Sequence, residues 1–97
     1  CRDLFLSMSE ILSEMDQSDG DIGRLGHGLG MQLTEQPSHA AFDETEQKEN
    51  MVLTIEPSLS YGDGLMMVHE ENIVVGDGTA RLLTARAAVE LPVVTRA

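Results

Sequence analysis

The segment Gly26–Gly30 limits the possible folds of this chain more than any other stretch. Within five residues, three glycines alternate with His27 and Leu29. Because glycine is costly inside a helix, we predict an extended, sharply turning segment over residues 22–33. The glycines on both sides of His27 also leave space for another group to approach its imidazole. This motif alone does not decide between a turn residue and a functional ligand.

The charge of the chain argues against several classes of function. Its 97 residues include 17 acidic and 6 basic side chains, which give a formal net charge of −11. This charge disfavours binding to nucleic acid or to an anionic membrane surface. Cys1 is the one cysteine, so the sequence has no disulfide framework. We therefore expect a reducing, cytoplasmic location. The sequence opens inside a helical pattern without an initiating methionine, and we interpret it as part of a longer protein.

Hydrophobic periodicity predicts one helix followed by several strands. The helix is predicted over residues 2–17, where apolar side chains recur at helical spacing, namely Leu4, Met8, Ile11, Leu12 and Met15. Apolar runs predict strands at 51–57 and at 65–75, the second interrupted by four polar residues, and a short strand at 81–84. We predict a polar loop at 37–50 and glycine turns at 61–64 and 76–78. This order of elements predicts an α+β fold with an antiparallel sheet.

Acidic residues occur where the predicted strands are otherwise apolar. Glu56 ends one strand, and Glu70 and Glu71 interrupt the next. An ionised carboxylate is rare at such positions unless it is paired or bound to a metal. With His27, these residues would form a mixed nitrogen and oxygen ligand set that suits Mn, Fe, Co or Zn. Two simpler roles are equally compatible with the pattern, because Glu56 can mark the exit of a strand into solvent and the other two can protect a strand edge. The two remaining histidines, His39 and His69, are predicted to be structural or solvent-facing.

Three stretches, taken together, resemble the signature segments of one protein family. They are GHGLGMQLTEQP at 26–37, NMVLTIEP at 50–57 and VHEENIVV at 68–75. In this order and at this separation they are similar to the pita-bread metallopeptidases, the group of aminopeptidase P, prolidase, methionine aminopeptidase and creatinase. The resemblance implies that residues 1–97 are the C-terminal portion of a single metallohydrolase catalytic domain, truncated on its N-terminal side. It also implies a curved antiparallel sheet with a helix packed on it, the C-terminal half of a pita-bread fold.

The resemblance also implies roles for three residues. His27 matches the metal-binding histidine of the family, and Glu56 matches its first metal-binding glutamate, which is also placed to relay a proton. Glu70 matches the glutamate that bridges two metal ions, whereas Glu71 falls on an adjacent position that is not a ligand. His27 and Glu56 are therefore the expected catalytic residues, and a pair of divalent ions is the expected cofactor. The family completes its site with two aspartates from an earlier strand that this sequence does not contain, so we expect the 97 residues alone to bind metal weakly and to lack activity.

Two positions depart from the peptidase pattern, and they leave the substrate open. Thr34 stands where peptidase members often carry a second histidine, and Val68 stands where proline-peptide enzymes often carry an arginine. The first hypothesis is a hydrolase that resembles an Xaa-Pro aminopeptidase or dipeptidase, which forms a homodimer as a whole protein. The second is a relative that acts on a small zwitterionic metabolite, as creatinase, ectoine hydrolases and a dimethylsulfoniopropionate lyase do. The third is a metal-free binding or structural module, in which the glutamates are only edge charges.

Overall fold

The computed structural model describes residues 1–15 and 23–96. Within these ranges the chain forms one helix and seven strands. The helix α1 spans Arg2–Ser13, and the strands are β1 (His27–Gly28), β2 (Glu35–Ser38), β3 (Val52–Ile55), β4 (Ser58–Tyr61), β5 (Leu65–Val68), β6 (Glu71–Val75) and β7 (Ala80–Leu82). The predicted α+β fold with an antiparallel sheet is confirmed.

Five of the strands form the main sheet, in the order β2-β1-β3-β6-β7, with antiparallel pairing throughout. The central strand β3 comes from the apolar run that predicted it, and its Leu53 pairs with Gly28 of β1 and with Ile73 of β6. Leu53 is fully buried, as are Leu25 and Ala40 beside the glycine segment. The core therefore lies where β3 meets β1, the strand that carries His27.

Strands β4 and β5 form a separate two-stranded hairpin, with Ser58 opposite Val68. The predicted turn between them is confirmed at residues 62–64, where two glycines have positive φ angles of 61° and 72°. The single interrupted strand predicted over 65–75 is wrong. The chain changes pairing partner between Val68 and Glu71, because β5 pairs with β4 whereas β6 pairs with β3. Residues 69–70 are therefore a junction between two sheets.

The helix α1 is attached mainly through its N-terminus. The N–H of Arg2 donates to the carbonyl of Asp43 at 2.8 Å, and its guanidinium forms an ion pair with Glu44. The predicted apolar stripe is only partly correct. Leu12 is buried, but Ile11 and Met15 are 62% and 54% exposed, because they lie outside the side of the helix that the rest of the chain covers. The helix ends at Ser13 with Glu14 as its C-cap, so the prediction that it continues to residue 17 is wrong at residues 14–15, and residues 16–17 lie outside the described ranges. No helix in the described ranges is long and apolar enough to cross a membrane.

The glycine segment is less regular than the predicted extended segment over 22–33. Its strand is limited to β1, with an irregular register between His27 and Gly28, and bends follow at residues 30–34. Gly26 has a φ angle of 147°, and a Cβ atom there would collide with the carbonyl oxygen of Thr54 and the ring of His39. Only glycine therefore permits β3 and His39 to approach the backbone this closely. The predicted polar loop begins later than expected, after β2 ends at Ser38.

His39 is the buried polar residue that the fold explains least. Its side chain is fully buried, and neither ring nitrogen makes a hydrogen bond of good geometry, although a contact with the backbone of Thr54 partly offsets the effect of burial on the pKa of the ring. Its backbone, by contrast, exchanges hydrogen bonds with the glycine segment, from Leu25 N–H to His39 O at 2.8 Å and from His39 N–H to Gly26 O at 3.0 Å. Burial lowers the pKa of His39, because the charged ring would lose its hydration. The prediction of a structural role for this histidine is consistent with this position.

Replacing His39 with leucine should stabilise the chain by about 1–2 kcal/mol at neutral pH, because two buried unpaired nitrogens are removed. The pH dependence should also change. Since the folded chain keeps His39 neutral, the unfolded chain binds the extra proton as the pH falls below about 6.5, and wild-type stability declines there. His39→Leu should remove that decline. Urea unfolding between pH 7 and pH 5 measures both effects. Identical pH profiles for wild type and His39→Leu would contradict the prediction.

Candidate metal centre

The backbone around His27 is held in place by β3. The N–H of His27 donates to Oγ1 of Thr54 at 3.0 Å, and both residues are buried. The register of β1 shifts at this point, between His27 and Gly28. Irregularities of this kind re-aim a side chain relative to a regular strand. The short strand β1 therefore places the imidazole of His27 at the end of β3, where the regular alternation of side chains between the two faces of the sheet is interrupted.

The ring of His27 has a defined tautomer when it is neutral. Its Nδ1 lies 2.8 Å from the carbonyl oxygen of Gly28. A carbonyl oxygen only accepts hydrogen bonds, so Nδ1 must carry the proton. Nε2 then keeps its lone pair for another partner. Histidines that bind metals usually donate their second ring N–H to a carbonyl or carboxylate in this way.

Glu56 faces this lone pair from the end of β3. Its N–H donates to the carbonyl of Leu25 at 2.9 Å, which fixes its backbone against the glycine segment. One carboxylate oxygen, Oε2, lies 3.3 Å from Nε2 of His27. An unprotonated nitrogen and a carboxylate oxygen at this distance repel each other unless a proton or a cation lies between them. Bonds of about 2.1 Å from each atom to one metal ion are compatible with this separation.

Glu70 lies on the wall of the same cavity. The cavity has a volume of about 400 Å³, and His27, Glu56 and Glu70 all line it. Glu70 sits at the junction between β5 and β6, with an exposed side chain. Among the described residues, no three His, Cys, Asp or Glu side chains are close enough together to surround a metal ion. The donor set and the tautomer of His27 fit a divalent metal. Glu70, however, lies too far from His27 and Glu56 to complete a three-ligand site.

The neighbouring acidic residue, Glu71, makes different contacts. Its Oε1 accepts a hydrogen bond from the N–H of Ala87 at 3.3 Å and lies 3.1 Å from Nε2 of His69. These contacts, led by the Ala87 N–H, lower the pKa of Glu71. Glu71 therefore fastens the C-terminal segment to β6. The two adjacent glutamates differ in surroundings, because one lines the cavity and the other is engaged by the tail.

The rest of the cavity wall contains both departures from the peptidase pattern. Thr34 and Val68 line it, together with residues to which no motif had given a role, namely Arg24, Leu33, Ser58 and Met66. Ser58 and Met66 could have been inferred from the hairpin, since the glycine turn at 62–64 places Ser58 opposite Val68. Arg24 gave no such signal, because it precedes the glycine segment without any periodic pattern.

Comparison with known proteins identifies the family. Residues 1–77 match the model of metallopeptidase family M24. The chain is 36% identical over 74 residues to an Xaa-Pro dipeptidase of Pyrococcus furiosus, an alignment that covers 75% of this chain and 21% of that protein. It is 35% identical to a putative dipeptidase of Bacillus subtilis, over 82% of this chain and 22% of that protein.

Solved structures agree with this assignment. A dipeptidase of Pyrococcus horikoshii superposes with a TM-score of 0.77 at 34% identity, over 89% of this chain and 24% of that one. A prolidase of the same organism superposes with a TM-score of 0.80 at 27% identity, over 91% of this chain and 25% of that one. The chain therefore belongs to metallopeptidase family M24, a family of hydrolases, and has the fold of the matching part of the pita-bread prolidases. It spans about a fifth of the length of the curated relatives that it matches.

The hydrogen bond from His27 to Thr54 generates a prediction. Thr54→Val keeps the shape of the side chain but removes the acceptor, which leaves the buried N–H of His27 without a partner. The free energy of unfolding should fall by about 1–3 kcal/mol. Urea unfolding followed by circular dichroism measures this change. Thr84→Val, at an exposed threonine, is the matched control and should be nearly neutral. Equal stability of the two variants would show that the bond does not support β1.

Proposed function

We propose that His27, Glu56 and Glu70 are metal ligands in a divalent-metal-dependent hydrolase that cleaves dipeptides at proline. The observation that carries this proposal is the arrangement of His27, whose Nδ1 is held by a carbonyl while its Nε2 faces Glu56. The relatives named as Xaa-Pro dipeptidases support the substrate class. In this proposal residues 1–97 are the C-terminal portion of the catalytic domain, and two aspartates of an earlier strand complete the site.

The ligand set supports a pair of ions chosen from Mn, Fe, Co and Zn, since one imidazole nitrogen and several carboxylate oxygens suit each of them. Manganese is one member of this group. When bound, the ions would lower the pKa of a water molecule and polarise the scissile carbonyl. His27 would hold one ion through Nε2, with its ring fixed by the carbonyl of Gly28. Glu70 would bridge the two ions from the junction between the two sheets.

Glu56 has a second task in the proposed mechanism. Its side chain is 32% exposed and its backbone is fixed by Leu25, so the carboxylate meets the cavity from a rigid strand end. A carboxylate in this position can take the proton from the attacking water and pass it to the leaving amine. The half-buried setting keeps the group within reach of both the cavity and the His27 ring.

A second substrate class is favoured by the cavity wall. Thr34 and Val68 both line the cavity, where proline-peptide enzymes often carry histidine and arginine. These changes replace two groups that handle the peptide but leave the proposed metal ligands in place. A small zwitterionic metabolite is therefore the alternative substrate, as in creatinase-like relatives.

We also propose that the whole protein is a homodimer and that it is located in the cytoplasm. The dimer is supported by the resemblance to a family whose members are often dimers. The cytoplasmic location is supported by the presence of a single cysteine in the sequence.

Metal binding by the longest natural polypeptide that contains residues 1–97 tests the ligand set. His27→Gln, Glu56→Gln and Glu70→Gln should each weaken binding of Mn or Zn by at least about tenfold, because each removes one donor. Glu71→Gln is the matched control, since its carboxylate contacts His69 and Ala87 instead. Titration calorimetry measures the affinities. A wild-type polypeptide of this length that takes up no metal, and whose stability is unchanged by a chelator, would favour the metal-free module instead.

Turnover tests the substrate class. The longest natural polypeptide that contains residues 1–97, loaded with Mn or Co, should hydrolyse glycyl-proline. Glu56→Gln should lower kcat by about 10²–10⁴-fold, because proton transfer is lost. Release of proline measures the rate, and Glu71→Gln should retain activity. Intact metal content without hydrolysis of any prolyl dipeptide would reject the peptidase, and turnover of creatine, an ectoine derivative or a sulfonium compound would select the alternative.

A further inference from the structure

We propose that Asn72 is a positioning residue of the metal centre, whose side-chain oxygen accepts a hydrogen bond from a water molecule bound beside Glu56 and Glu70. This inference rests on the proposed function and adds to it a residue that touches neither the ions nor the substrate. Asn72 would hold the water in one orientation, whereas the proposed ligands would hold the ions.

Asn72 carries a buried acceptor that the described part of the chain leaves without a donor. Its Oδ1 is inaccessible to solvent, and no described residue donates a hydrogen bond to it. Thr54 lies directly opposite in the pairing of β3 with β6, but its hydroxyl is engaged by the N–H of His27. The main-chain carbonyl of Asn72, by contrast, accepts the N–H of Leu83 at 2.9 Å. Because an unpaired buried amide oxygen is costly, we expect its donor to be a bound molecule.

The antiparallel pairing of β3 with β6 continues past the ends of both strands. The N–H of His69 donates to the carbonyl of Pro57 at 3.0 Å, in the same register as the last pair of the ladder. Glu56 and Glu70 lie between these two pairs and are therefore opposite each other along the backbone. Like charges at opposite positions of a sheet are destabilising, so a cation between the two carboxylates is favoured.

Asn72 is on the same face of the sheet as these two glutamates. Side chains alternate between the faces of a strand, so Asn72 shares a face with Glu70, and Thr54 shares a face with Glu56. Thr54 and Asn72 are opposite each other, which places both pairs on one face. Two residues of a strand span about 6.6 Å. An ion held by the glutamates is therefore too far from Asn72 for direct coordination, and a water ligand with a hydrogen bond of about 2.8 Å spans the interval.

The strand would be more stable without this amide. Asparagine is depleted in strands, and the residues that follow it in β6, Ile73, Val74 and Val75, are all β-branched. Replacing an unpaired buried amide with an apolar side chain of similar size removes a desolvation cost. Asn72 therefore lowers the stability of the chain, as polar residues at functional sites often do.

The experiment compares metal binding and stability in the longest natural polypeptide that contains residues 1–97. Asn72→Leu removes the acceptor with little change in volume. It should weaken Mn²⁺ binding about tenfold in titration calorimetry, because the ion loses a group that supports its surroundings. Without metal, the same variant should unfold at the same urea concentration as the wild type or at a higher one. A merely structural asparagine would give the reverse, lower stability and unchanged affinity.

Water exchange locates the effect at the proposed hydrogen bond. Solvent proton relaxation by bound Mn²⁺ measures how fast the water ligands exchange, and the rate should rise about fivefold in Asn72→Leu, because one hydrogen bond to the water is lost. Asn72→Asp keeps the acceptor and should keep the slow exchange. Asn72→Val suits a strand and tests the same loss if Asn72→Leu does not fold. Gln47→Leu, which removes an exposed amide from the loop after β2, is the control and should change neither measurement.

Three results are decisive. Unchanged affinity or unchanged water exchange in Asn72→Leu, in a polypeptide that binds Mn²⁺, would overturn the inference. Weaker binding together with a less stable metal-free protein would also overturn it, because a structural role then explains both changes. Failure of the proposed function is visible separately, as a wild-type polypeptide that takes up no Mn²⁺.

Discussion

Two hydrogen bonds between the glycine segment and β3 hold the candidate metal centre together. His27 donates its N–H to Oγ1 of Thr54, and Glu56 donates its N–H to the carbonyl of Leu25. The backbone N–H of each proposed ligand is therefore bonded to the segment that carries the other ligand. These bonds fix the separation of the two backbones from which the His27 ring and the Glu56 carboxylate project. Sites supported in this way keep their geometry before a ligand arrives.

The same contacts close the core, so stability and site geometry are linked in this chain. The buried apolar side chains among the described residues are Leu12, Leu25, Pro37, Ala40 and Leu53, and all but Leu12 lie in or beside the segments that form the site. The buried polar residues are His27, His39 and Thr54. Only His39 has no evident role in the geometry, apart from the backbone bonds that it exchanges with the glycine segment. A substitution that loosens this core would also displace the proposed ligands.

The local elements were predictable because their signals are local. The apolar run before Pro57 gave β3, and the glycine pairs around residues 62–64 and 76–78 gave turns. The change of strand pairing at residues 69–70 was not predictable. The alternation of apolar and polar residues shows which side chains share a face of one strand, but not which strand lies beside it. Similarly, nothing near His39 indicates its burial, because this depends on contacts made across the sheet. The proposed ligand set came from the family resemblance, as an imidazole and two carboxylates have no common period along the chain.

The junction at residues 69–70 gives the hairpin a consequence beyond its own pairing. The N–H of His69 donates to the carbonyl of Pro57 at 3.0 Å, so a hydrogen bond closes the base of the hairpin. Glu70 follows directly on this closed base, whereas His27 and Glu56 are anchored in the main sheet. Any ion that binds Glu70 together with the other two residues would therefore fasten the base of the hairpin to the main sheet.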